Sequence, residues 1–127
     1  MVGQHSASVN VNFNSANTDT PIPLSLPPGF TRWVVNAVRI GGASASISTA
    51  TCGVFTQASG GGTAIVTGGS AITVNQTATE TNNNTMSLTI NNANTESFTT
   101  TTIYFRVGTA EGSAATGNVT VVYTPLP

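Results

Sequence analysis

Ala7, Val9, Val11 and Phe13 alternate with Ser8, Asn10, Asn12 and Asn14. A period of two places successive side chains on opposite faces of an extended chain, so this run specifies a strand with one buried and one wet face. The signature returns at Ile22, Leu24 and Leu26, at Met86, Leu88 and Ile90, at Ile103, Phe105 and Val107 (with Tyr104 and Arg106 opposite), and at Val119, Val121 and Tyr123. Helix is correspondingly disfavoured. Thr, Val and Ile make 43 of the 127 residues, whereas Leu, Met, Glu, Gln, Lys and Arg together make 15. β-Branched side chains lose rotamer freedom in a helix and pack well on a pleated sheet.

Between these runs the chain is punctuated by turn formers. Residues 1–6 carry no pattern and read as an N-terminal arm. Ser15 to Thr20 is a loop, and the prolines of Pro21 to Pro28 confine that segment to a sheet edge. Thr31 to Ile40 is the most apolar segment. Val34, Val38 and Ile40 share one face and Trp33, Val35 and Ala37 the other, which predicts a strand covered on both sides. A further strand is expected from Ile47 to Phe55, with Ala50, Cys52 and Val54 on one face. Two short ones, Thr63 to Thr67 and Ala71 to Val74, flank Gly68-Gly69. Ser59 to Gly62 and Asn91 to Asn94 read as turns, Gly108 to Gly117 as a loop of small residues, and Asn75 to Thr85 as a polar surface loop or short helix. The result is about eight strands with no helix between them, hence an all-β, two-sheet antiparallel sandwich forming one domain over residues 1–127. A jelly roll is the expected topology, with an immunoglobulin-like sandwich as the alternative.

Charge is scarce. Three Arg, no Lys and four acids leave a net charge of −1. Binding to nucleic acid rests on many cations releasing counterions from phosphates, and this chain has too few. No apolar run approaches the ~20 residues of a membrane-spanning helix. Cys52 is alone, so no internal disulfide is expected, and a mid-strand position reads as a small buried hydrophobe. The N-terminal residues show no secretory signal pattern, which points to synthesis in a cytoplasm.

Catalytic groups are equally scarce. His5 is the one imidazole and falls in the arm. Asp19, Glu80, Glu96 and Glu111 fall in predicted loops, with nothing to bring two together. One Cys and one His make no zinc set. Gly60-Gly61-Gly62 has neither the following helix nor the Lys of a phosphate loop, and reads as a turn. Asn-X-Ser/Thr triplets at Asn75, Asn83 and Asn118 are no more than this composition yields by chance. The expectation is a protein that is not an enzyme and uses no metal or cofactor.

The unusual residues are the arginines on apolar strands. Arg32 and Arg39 flank the most hydrophobic segment, and Arg106 lies opposite the Ile103–Phe105–Val107 face. Each either pairs with a carboxylate or contacts a partner, and Arg is enriched at interfaces. Trp33 serves either as core or as an interface anchor. With Tyr104, these four are the candidate contacts to other subunits or to a capsid.

The stretches Phe30-Thr-Arg-Trp-Val-Val-Asn-Ala-Val-Arg39, Gly53-Val-Phe-Thr56, Gly60-Gly-Gly-Thr-Ala-Ile65 and Ile103-Tyr-Phe-Arg-Val107 resemble the small jelly-roll decoration, or cement, proteins on the heads of tailed bacteriophages. The resemblance spans most of residues 7–124. It implies a structural virion protein, made in the host cytoplasm and bound to the outer surface of the head. There it would self-associate as a homodimer or homotrimer, bridge copies of the major capsid protein, and contact neither nucleic acid nor membrane. The alternative is a carbohydrate- or receptor-binding sandwich of a phage fibre or similar assembly. That reading requires Trp33, Tyr104 and Tyr123 to be exposed together as a stacking platform.

Overall fold

The computed structural model describes residues 3–74, 85–91 and 96–127. Its strands are β1 (His5–Asn12), β2 (Thr18–Pro23), β3 (Arg32–Gly41), β4 (Thr51–Gln57), β5 (Gly61–Ala71), β6 (Met86–Ser87), β7 (Thr102–Val107) and β8 (Thr116–Leu126), with a 3-10 turn at Ala58–Gly60. They form two antiparallel four-stranded sheets, ordered β1-β8-β3-β6 and β2-β7-β4-β5. The pairs β4–β5, β3–β6, β2–β7 and β1–β8 nest inside one another, as in a long hairpin folded back on itself. Folding that hairpin over inserts β8 between β1 and β3 and β7 between β2 and β4. This is jelly-roll order, and it differs from the immunoglobulin sheets, which group the strands otherwise.

The alternating runs face inward as their pattern dictates. Val11, Ile22, Val54, Ile103, Phe105, Val119 and Val121 are buried between the sheets. Trp33 is fully buried at 0% exposure. Its indole N–H donates to the Thr100 carbonyl at 2.7 Å, and its backbone exchanges hydrogen bonds with Phe98. The ring lies 5.0 Å from Phe98 and edge-on to Tyr123 at 5.9 Å. The Tyr123 hydroxyl donates in turn to the Ser25 carbonyl at 2.8 Å. One aromatic cluster thus ties β3 and β8 to the segments before β3 and β7, and each buried polar tip has a partner.

Several expectations are corrected. β3 is not covered on both sides. Val35 faces Tyr123 and Ala37 faces Val122, which leaves Asn36 as the extra residue of a β-bulge. The extra residue switches the phase of alternation, so Trp33, Val35, Val38 and Ile40 all point inward. Val34 and Ala37, half-buried, and Arg32 and Arg39, exposed, take the outer side. The strand expected from Ile47 starts only at Thr51; Ile47 is buried in the preceding loop, where its N–H donates to the Val74 carbonyl. The first of the two short strands expected around Gly68-Gly69 runs on through the glycines as one bulged strand, β5, to Ala71, whereas residues 72–74 of the second lie outside any strand. The strand expected from Met86 to Ile90 is confined to Met86–Ser87. The pattern-free arm stops short of residue 6, because His5 and Ser6 already pair with Tyr123 and Val122. Asp19 lies in β2 rather than in a loop. Glu80, Asn75, Asn83, nearly all of the 75–85 loop and most of the 91–94 turn lie outside the described residues.

Candidate interaction surface

The outer face of the β1-β8-β3-β6 sheet is a lattice of short neutral side chains. Register aligns Ser8, Thr120, Arg39 and Ser87 in one row across all four strands. Asn10 and Asn118 lie in the next row, beside Gly41. Neighbours bond to each other: Ser8 Oγ to Thr120 Oγ1 at 2.7 Å, Asn10 Nδ2 to Asn118 Oδ1 at 3.2 Å, and Thr124 Oγ1 to Asn36 Oδ1 at 2.7 Å. Such cross-strand pairs stabilise the face and hold its donors and acceptors to one another. Arg39 stands exposed on this face and makes no ion pair among the described residues. It borders a shallow groove of about 490 Å³ shared with Ile40, Gly41, Gly42, Thr85, Asn118 and Thr120.

The outer face of the other sheet is different. Pro21, Tyr104, Phe55 and Ala64 form an apolar row across its full width. Asp19, Arg106 and Gly53 form the adjacent row. Phe55 is only 9% exposed although it lies outside the inter-sheet core. Its ring covers Gly53 and Gly68: a Cβ on Gly53 would come within 2.8 Å of Phe55 Cε2 and 2.9 Å of the Gly68 Cα. Asp19 accepts from Arg106 Nη1 at 3.0 Å and from the Ser59 N–H at 2.7 Å, so the carboxylate also fixes the β4–β5 turn. This is the one ion pair among the described residues.

The five candidate contacts therefore separate. Trp33 is core, and its reading as an interface anchor is overturned by its complete burial. Arg106 is engaged by Asp19, and Arg32 donates through Nε and Nη2 to the Pro127 carbonyl at 3.3 and 3.0 Å. Arg39 on one face and half-buried Tyr104 on the other are the two whose polar ends are not committed to such contacts among the described residues. Pattern reading missed Asp19 and Phe55. Gly53 carried a signal for the latter, because residues two apart share a face and a large ring beside a glycine can lie flat over it.

The remaining polar groups serve the scaffold. Glu111 accepts from the Thr49 and Ala50 N–H groups, both at 2.9 Å, closing the loop before β4. Cys52 is buried, and burial pushes its thiol from 9.0 up to about 12. Glu96 lines a shallow polar groove of about 370 Å³ with Thr56, Gln57, Thr63 and Thr100. The stacking platform a sugar-binding reading requires is not formed: Trp33 is 0% and Tyr123 2% exposed. No protein-family model matches the chain, and no curated protein does.

Proposed function

We propose that this chain is a structural virion protein that binds the outer surface of a bacteriophage head and stabilises it by bridging capsid subunits. The observation that carries the reading is the internally bonded hydroxyl and amide face of the β1-β8-β3-β6 sheet, on which Arg39 makes no ion pair among the described residues. A rigid neutral face can be docked many times over a lattice without like-charge repulsion between copies, and it loses little to salt screening. Many copies make modest contacts additive. The jelly-roll order of the strands agrees with the resemblance in sequence.

Particles stripped of this chain should rupture at a lower temperature than complete ones, and adding the purified chain back should restore the difference. Arg39→Glu should weaken the restoration while leaving the fold intact, because the side chain is exposed and makes no ion pair among the described residues. Absence of the chain from purified virions would overturn the proposal.

A further inference from the structure

Four strands lie at sheet edges: β1 and β6 in one sheet, β2 and β5 in the other. An open edge offers unpaired N–H and C=O groups to another chain, and soluble proteins block such edges. Three of these four are blocked. In β2, the Leu24 N–H donates to the Thr101 carbonyl, so the alternation directs residues 20 and 22 to β7 and residues 19, 21 and 23 outward. Two of those three outward positions are Pro21 and Pro23, which have no N–H to offer. In β5 the register breaks repeatedly. Asn91 also covers the strand, its N–H donating to the Ile65 carbonyl and its Nδ2 to the Ala64 carbonyl. β6 is two residues long.

β1 carries none of these devices. It runs eight residues in unbroken register with β8 and contains no proline, glycine, bulge or formal charge. The Phe13 N–H donates to the Ala115 carbonyl, so the alternation turns the odd residues toward β8 and the backbone of Ser6, Ser8 and Asn10 to the open side. No described residue bonds to that side. The core also thins here. Ala7 and Val9 pack against it but stay half-exposed, whereas Val11 is 1% exposed.

We propose that β1 pairs antiparallel with β1 of a second copy about a two-fold axis at Ser8, joining two four-stranded sheets into one continuous sheet. The segment is self-complementary in this register. Ser8 faces the partner's Ser8, Ser6 faces the partner's Asn10, and no like charges meet. Ala7 falls opposite the partner's Val9 on the core side, so each copy covers the other's exposed margin. The inference rests on the self-association in the function proposed above and names its surface.

Sedimentation of the purified chain, with no particle present, tests it separately from capsid binding. The wild type should sediment at the mass of two chains. Ser8→Lys, which sets two cations face to face, and Ser8→Pro, which removes the outward N–H, should each sediment as monomers at concentrations where the wild type is dimeric. Both should retain the blue-shifted emission of buried Trp33. Ser113→Lys, an equal charge on an exposed loop, should stay dimeric. A monomeric wild type, a trimer, or a dimer that Ser8→Lys leaves intact would overturn the proposal.

Discussion

Deletion of Asn36 should be tolerated, although it removes a residue from the middle of a core strand. Val34 and Val35 face Thr124 and Tyr123, while Ala37 and Val38 face Val122 and Val121. Excising Asn36 brings Val35 next to Ala37 and lets the ladder with β8 run on without a shift. Trp33, Val35, Val38 and Ile40 then alternate with Val34, Ala37 and Arg39 as in a regular strand, so no core side chain changes face. The loss includes the Thr124–Asn36 hydrogen bond, about 1 kcal/mol, and the bend the bulge gives the strand. Deleting Val122 from β8 is the contrast. The strand must then turn either Tyr123 or the pair Val119 and Val121 outward, all of them at most 2% exposed. Exposing two such valines costs about 3–6 kcal/mol, a large part of the roughly 5–15 kcal/mol that stabilises a domain. Urea unfolding followed by the fluorescence of Trp33, the one tryptophan, measures both. Equal damage from the two deletions would refute the phase-switch account of β3.

Other predictions follow from single contacts. Cys52 should resist alkylation in the folded protein and react fully in urea. Because its folded pKa of about 12 lies above the 9.0 of the free thiol, the unfolded chain loses this proton first; the associated stability is whole below pH 9 and falls between 9 and 12 by about 1.4 kcal/mol per pH unit, a slope Cys52→Ala should remove. Gly53→Ala should cost about 1–3 kcal/mol in urea unfolding, since its Cβ meets both the Phe55 ring and the Gly68 backbone. Asp19→Ala should cost about 1–2 kcal/mol by the same assay, because it unpairs Arg106 and the Ser59 N–H at a half-buried site.

Period-two alternation was enough to read the sheets, and for β1, β7 and β8 it also assigned the buried faces. It failed where the backbone departs from regular pleating. In β3 the bulge at Asn36 makes one buried face look like two, and in β5 the glycines around residues 68 and 69 interrupt the side-chain pattern without interrupting the strand. The surface was less legible because its chemistry is set by cross-strand neighbours. Asp19 and Arg106 are 87 residues apart in sequence, and only the β2–β7 register makes them a pair. The arginines were visible as anomalies, yet their partners were not. Arg32 and Arg106 close contacts within the chain, which leaves Arg39 as the arginine whose guanidinium makes no such contact among the described residues.

The proposed function places this sandwich on a particle surface. A cryo-EM map of the native phage head, at a resolution that separates strands, tests it most directly. The expected map shows an eight-stranded sandwich outside the capsid shell, seated across neighbouring capsid subunits through the face that carries Arg39. A head whose outer surface carries no such density would contradict it.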